Sequence, residues 1–376
     1  MILISHIVNS LANPYVVWRT LRGVEIICRD GRPIYSAGNV SAVFQIWHEG
    51  QKKCLKCYIR SNPNLKHIYR SQFYERELCV FELSGTRHWI DCLLVPYTEG
   101  ITLEEAICKA KSREEFGRLA KEFDRMARWL LEKPFAHGDL KPENIIVRSD
   151  GKMRVIDWDS AFLPQFAGSK SFEQGTAAYQ HPKRDGELFD KHIDDYSIAM
   201  ISTLLHAYSA EPELCEQFRQ EHEHPITPTS ILSGTDRYFE AILELFARRA
   251  MAREYHIAKL LTSPIAQLFD LKRLLSLSTA ECHGGEELEE SAGLWGYRNR
   301  EGWTVSPLYE MGFEPMDGVG LVRLGGYNHF ITTDGRLLGT FDRGVRVKPL
   351  KGRQAQIINS DGTEQIINLE ELVKCE

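Results

Sequence analysis

Long basic runs are missing from this chain of 376 residues, and its formal net charge is −6. A surface without clustered Lys and Arg offers no electrostatic footprint for nucleic acid or an anionic membrane as primary partner. Long apolar runs are missing too. The nearest, YSIAMISTLLHAY (Tyr196 to Tyr208), is too short to span a bilayer and already contains polar residues. The opening MILISHIVNSLANP has no basic segment and no clear cleavage site, so no signal peptide is expected. Cysteines at metal-binding spacing are absent as well. Nine are scattered along the chain, and the CxxC of Cys54 and Cys57 is followed by no second Cys or His pair at zinc-finger spacing. What remains is a soluble protein with reduced thiols, expected in the cytoplasm.

The bulk composition, 43% hydrophobic and 26% charged, is that of a folded protein, and the length predicts two or three domains. The first ninety-odd residues read mainly as strands, with turns at Asp30-Gly31 and His48-Glu49-Gly50. HIYRSQFYERELCVFEL has neither Gly nor Pro and predicts a helix. RHWIDCLLVPY reads as a buried strand. From Thr102 to about Lys133 apolar residues recur at three- and four-residue spacings, the mark of an amphipathic helix. Residues 190–275 are again mostly helical, with loops around Pro212 and Pro225–Pro228. The acidic, glycine-containing stretch SLSTAECHGGEELEESAG, 276–293, reads as a linker. Beyond it a weak repeat emerges in GYRNREGWTV, HFITTDGRLL and IINSDGTEQI, each a hairpin with its turn glycine at 302, 335 or 362. Recurring hairpins predict a small array in which each unit buries its face on the next.

One stretch concentrates chemistry: FAHGDLKPENIIVRSDGKMRVIDWDSAF, Phe135 to Phe162. Phosphoryl transfer from a nucleotide needs its phosphates positioned, its metal held and the attacking hydroxyl oriented. Asp139 can accept a hydroxyl proton, and Lys141 can steady the transferring group. Asn144 and Asp157 offer hard oxygens to Mg²⁺. The Asp150-Gly151 turn folds Asn144 and Asp157 back toward one another.

HGDLKPEN, followed thirteen residues after its Asn by the IDWD aspartate, resembles the catalytic loop and metal-binding motif of the Hanks-type (eukaryotic-like) Ser/Thr protein kinases. The resemblance implies an α+β, bilobal fold with a β-rich N-lobe and a helical C-lobe, and ATP with Mg²⁺ as cofactors. YSAGNVSAVF resembles a degraded glycine-rich loop over the phosphates, with Gly38 kept and Ser36 and Ser41 where the family prefers glycine; Val43 joins Gly38 among the nucleotide contacts. CLKCY resembles the next strand's Ala-x-Lys motif, which makes Lys56 the α/β-phosphate ligand, ahead of Lys52 and Lys53 because its neighbours alternate like a buried strand. The lysine's partner carboxylate is expected from the following helix, where Glu75 and Glu77 both qualify and Glu75 has Leu78 three residues on, as the family pattern expects. LLVPYTEG stands at the hinge, with the Pro96 carbonyl and the Thr98 N–H set for adenine. GTAAYQHP resembles the end of the activation loop, with Thr176 near the catalytic Asp, and DDYSIAMI the buried C-lobe helix whose Asp194 holds the catalytic-loop backbone. The landmarks run from about residue 30 to 210.

Four spellings depart from that pattern. Gly138 replaces the arginine that reads a phosphorylated loop, so phosphorylation of Ser169 or Ser171 is not expected to be required. Asp159 replaces the glycine of the metal motif. His181-Pro182-Lys183 replaces Ala-Pro-Glu, and the glycine-rich loop has lost glycines. The C-terminal hairpins resemble the WG (KWG) β-repeats of bacterial proteins, through Trp295-Gly296. The layout read from all this is a kinase-like domain at 1–275 (N-lobe about 12–97, C-lobe about 98–275), the linker at 276–293 and an all-β repeat domain at 294–376. The expected function is a protein kinase acting on Ser or Thr of a protein substrate, with the repeats for docking a partner. Small-molecule phosphotransfer of the aminoglycoside- or choline-kinase type, and a pseudokinase scaffold, stand as alternatives.

Overall fold

The computed structural model describes residues 2–372 apart from 14–15, 39, 83, 217–218, 220–225, 278–284 and 286. The architecture is α+β. A helix α1 (Ile4–Ala12) precedes a curled, antiparallel seven-stranded sheet made by β1 (Val17–Trp18), β2 (Val24–Ile26), β5 (Tyr35–Ala37), β6 (Ser41–His48), β7 (Gln51–Tyr58), β8 (Phe73–Phe81) and β9 (Arg87–Pro96). A two-stranded hairpin, β3 (Cys28–Arg29) and β4 (Arg32–Pro33), interrupts it. Ile7 and Leu11 of α1 pack with Phe44, Ile46, Leu55, Leu78, Val80 and Ile90, giving this sheet its own core.

The helix expected over HIYRSQFYERELCVFEL is not there. Only α2 (Leu65–Tyr69) and a 3-10 turn at Arg70–Gln72 are helical, and Phe73–Phe81 becomes strand β8 between β1 and β9. Two residues explain the break. Arg70 (φ 51°) and Arg76 (φ 49°) both sit at positive φ, which a right-handed helix does not accommodate. At Arg76 the β8–β9 register shifts between Tyr74 and Leu78, and Asp91 Oδ1 on β9 takes the Arg76 N–H at 2.7 Å. This is a bulge fixed by a neighbouring strand, which local propensity does not encode.

Next comes a small sheet of β10 (Ile101–Thr102), β11 (Ile145–Val147) and β12 (Met153–Val155). The helical pattern after Thr102 forms two helices, α3 (Leu103–Lys109) and α4 (Arg113–Leu131). Ser112 restarts the second, because its side chain caps the Glu115 N–H while Glu115 reaches back to the cap. Helix α5 (Asp195–Ala210) is buried almost all round at the centre of the helical half. Further helices run over Arg237–Arg248 and Ala252–Leu260. Pro212 opens a short 3-10 turn, and Pro228 takes the first turn of a helix capped by Thr227; Pro225 lies outside the described residues.

Eight of the eighteen residues of the expected linker lie outside the described residues, and strand β13 (Glu287–Ser291) forms within its second half. The three expected hairpins form, within sheets of β13, β14 (Leu294–Asn299) and β15 (Gly302–Tyr309); of β16 (Met311–Gly312), β17 (Val319–Leu324), β18 (Tyr327–Thr332) and β19 (Leu337–Phe341); and of β20 (Arg346–Leu350), β21 (Gln354–Ile358) and β22 (Glu364–Asn368). This β-rich region is continuous with the helices. Tyr297, Val305, Leu308, Val322 and Ile331 share one core with α4, α5 and their neighbours.

Candidate functional site

The β11–β12 hairpin builds the site. Its ladder pairs Ile145 with Val155, and the Ile156 N–H donates to Asn144 O at 2.9 Å, so Asn144 and Asp157 leave the hairpin side by side. Asp157 has φ 63°, a conformation that costs energy for a non-glycine residue and recurs at functional sites. Ahead of the hairpin, the turn His137–Asn144 is held from below. Asp194, at the start of α5, accepts the Gly138 N–H at 2.8 Å and also that of His137. His137 Nε2 faces Ile156 O at 2.8 Å and its Nδ1 accepts the Asp139 N–H at 3.2 Å, which fixes the orientation of the ring. Trp158 packs edge-on against His137 and Phe135.

Two clusters result. In the first, Asp139 Oδ1 accepts the Thr176 N–H at 2.6 Å, Asn144 Nδ2 donates to Asp139 O at 2.9 Å, and Lys141 Nζ donates to Thr176 Oγ1 at 2.9 Å. Lys141 and Asp139 themselves are 3.6 Å apart. Gly175 makes this approach possible, since a Cβ there would lie 2.6 Å from Gly138 O and 3.1 Å from Asp139 Oδ1. In the second, Lys56 of β7 crosses from the N-terminal sheet and meets Asp157 at 2.6 Å and Asp159 at 2.8 Å. Asp159 Oδ1 also accepts the phenol groups of Tyr58 (3.0 Å) and Tyr69 (2.7 Å). Burial alone would lower the Lys56 amine, but Asp157 and Asp159 outweigh it and hold the ammonium above its ordinary value. Packing pushes Asp157 upward while Lys56 pulls harder, leaving its carboxyl below the usual range. Asp159 goes the other way, raised by burial and by the charge of Asp157.

The other expected residues divide. Val43 on β6 is the register partner of Lys56, and the β5–β6 turn that holds Gly38 closes with its N–H on Ser41 O at 3.0 Å. Nothing lies within 4 Å of a Cβ placed at Gly38, so that turn does not demand glycine for space. Pro96 ends β9, exposed, and Thr98 follows half-buried. Lys52 lies over the Tyr97 ring, and Lys53 meets His48 Nδ1 at 3.1 Å and Glu49 at 3.5 Å, away from Asp157 and Asp159. Glu75 does not meet Lys56. It sits on the β8 bulge, bonded to Lys66 at 2.7 Å. Glu77 is buried, with its carboxylate spent on the Thr20 and Leu21 N–H groups at 2.7 and 2.6 Å. Both belong to a strand and not to the expected helix, so neither turns toward the cleft.

Two spellings now have physical causes. Gly138 has φ +85°, and a Cβ there would stand 2.1 Å from Ser160 O, so no side chain fits. Instead the buried Arg184 donates to Gly138 O at 3.0 Å. His181 and Lys183 each reach a backbone carbonyl, of Ser263 and of Pro264, at 3.0 Å. Among the described residues no group of three or more His, Cys, Asp or Glu is placed to hold a metal. A cavity of about 810 Å³ lies elsewhere, between α4, α5 and β15, beside Asp124, His206 and Arg253.

No family model matches the chain. It is 26% identical over 95 residues to mitogen-activated protein kinase kinase 10 of Arabidopsis thaliana. The matched stretch is 25% of this chain and spans 30% of the plant protein's length. Over that quarter the chain is similar to a protein kinase.

Proposed function

We propose that the chain is a bilobal protein kinase that transfers the γ-phosphoryl group of ATP to Ser or Thr hydroxyls with Mg²⁺. The observation that carries this reading is the Asp139–Thr176–Lys141 bridge, in which an alcohol already lies within 2.9 Å of the lysine. Bound ATP would supply the transferable phosphoryl group. Asp139 accepts the proton of the incoming hydroxyl, and Lys141 offsets charge on the oxygens around it. Lys56 binds the α/β-phosphates, beneath the β5–β6 turn and Val43, while Pro96 O and Thr98 N hold adenine. Asp157 and the Asn144 carbonyl oxygen, left over by its Nδ2 contacts to Asp139, suit a hard cation completed by phosphate and water. Thr176 belongs to GTAAYQHP, which favours an extended peptide as substrate.

Purified protein with Mg·ATP and a basic protein substrate should incorporate phosphate. Asp139→Ala should lose roughly 10²–10⁴-fold of that rate, the usual worth of a general base. Incorporation that survives this substitution sinks the role of Asp139. Gly138, where no arginine fits, favours small-molecule phosphotransfer as a second reading, and phosphorylation of small alcohols but of no protein would select it. The shared core of Tyr297 and Val305 with the helices supports a C-terminal region of WG type that braces the kinase and offers its outer face to a partner. A cytoplasmic site is consistent with the seven described cysteines, all free. Among the described residues no helix is long and apolar enough to cross a membrane.

A further inference from the structure

Lys56 needs a fixed partner, because a four-carbon side chain with three donors does not hold one direction unaided. Helix α2 (LKHIY) carries no acidic residue, Glu75 is engaged by Lys66, and Glu77 is engaged by Thr20 and Leu21. The two carboxylates facing Lys56 both come from the Asp157-Trp158-Asp159 turn. They differ in what surrounds them. The Asp157 side chain is 41% exposed and accepts from Lys56 at 2.6 Å, with the Asp159 carboxyl beside it. The Asp159 side chain is 14% exposed and is held by Tyr58, Tyr69 and Lys56, while Asn62 Nδ2 donates to its backbone carbonyl at 3.3 Å.

We propose that Asp159 is the positioning residue for Lys56, fixed by Tyr58 and Tyr69, and that this leaves Asp157 free to turn to the cation. The proposal rests on the phosphotransfer reading of the site. It gives the aspartate that stands where kinases have glycine a task. It also ties the phosphate-binding lysine to the metal-binding turn itself and not to a helix that can swing away. Displacing α2 then acts on Lys56 through Tyr69, and through Leu65, which packs with Tyr58.

Asp159→Asn is the test, since its amide oxygen still accepts from the two phenols while the charge facing Lys56 is gone. Lys56 is first read without nucleotide, by acylation with an N-hydroxysuccinimide ester and mass spectrometry. Labelling should rise in Asp159→Asn, fall back in Asp159→Glu, and stay at the wild-type level in Glu75→Ala. In turnover, Asp159→Asn should raise the KM for ATP about tenfold, the worth of one charge-assisted hydrogen bond. The Mg²⁺ concentration for half-maximal rate should stay unchanged, whereas Asp157→Asn should raise it. A Glu75→Ala variant that frees Lys56 while Asp159→Asn does not overturns the proposal. So does an Asp159→Asn variant with the Mg²⁺ requirement of Asp157→Asn, which would make Asp159 a metal ligand. A wild-type protein that binds no nucleotide overturns the phosphotransfer reading, and the labelling arm still decides which carboxylate holds the lysine.

Discussion

Two charge clusters in this molecule use the same chemistry to opposite ends. Under the C-terminal β-region, Asp124 of α4 and Glu254 face Arg253 and His206, with Asp124 also accepting from Ser202 at 2.8 Å. Each carboxylate has a cationic partner, each imidazole nitrogen faces a carboxylate, and the Asp124 side chain is 5% exposed. Burial would raise Asp124, but His206 and Arg253 outweigh it and hold its carboxyl below the ordinary range. In the cleft, Lys56 is the one side chain among the described residues that forms an ion pair with both Asp157 and Asp159. The first cluster is balanced, and it borders the cavity between α4, α5 and β15. The second is open on the Asp157 side and short of positive charge. An uncompensated carboxylate pair is costly unless something else offsets it, so imbalance at an opening is the better sign of a ligand site than burial of charge.

Breaking the balanced cluster should have the larger effect on stability. Asp124→Ala leaves Arg253 and His206 to share Glu254 and should cost about 3–5 kcal/mol of unfolding free energy, read by urea denaturation. A loss below about 1 kcal/mol would remove the distinction drawn between the clusters. Acid sharpens it from another side. His329, fully buried with its Nδ1 3.0 Å from Thr340 Oγ1, is pushed down to about 4 by burial. The unfolded chain therefore binds a proton that the native chain refuses between about pH 6.5 and 4, so stability is full above that window and falls as pH drops through it. The total loss is about 3 kcal/mol, and His329→Gln should flatten that part of the pH–stability curve. An unchanged slope would assign the acid loss to other groups.

The open cluster should respond differently. Asp157→Asn removes one of two like charges at a residue whose positive φ Asn tolerates, so the unliganded protein should keep its stability within about 1 kcal/mol. Mg·ATP should raise the melting temperature of the wild type and not of this variant. A large intrinsic destabilisation would mean that Asp157 is structural.

How much of this was legible in the sequence follows from the range of each interaction. The Asn144–Asp157 juxtaposition is written locally, in two short β-runs and an Asp150-Gly151 turn whose glycine takes φ 79°. The placement of Thr176 beside Asp139, and of Asp194 under the turn, was implied by the resemblance to the kinase family, and the contacts are there. The β8 bulge was not legible. It depends on Asp91, fifteen residues from Arg76 and on another strand. The partners of Asp159 were hidden for the same reason, since Tyr58 and Tyr69 lie 101 and 90 residues away. A composition shift marked 276–293 as a linker, yet Leu288 and Glu289 belong to a strand whose partners, Tyr297 and Gly296, come later.

The smallest effect tests the residue that sequence reasoning placed in the cleft. Glu75 and Lys66 form their pair at the surface, with side chains 57% and 61% exposed. Solvent and salt screen such a pair, and holding two long side chains together offsets much of its attraction. Glu75→Ala and Lys66→Ala should each change stability by no more than about 0.5 kcal/mol, and the double variant should show almost no coupling between them. Phosphotransfer by Glu75→Ala should match the wild type. A tenfold loss of rate in that variant alone would bring the β8 bulge into the working cleft, and would mean that Glu75 leaves Lys66 for Lys56 when nucleotide binds.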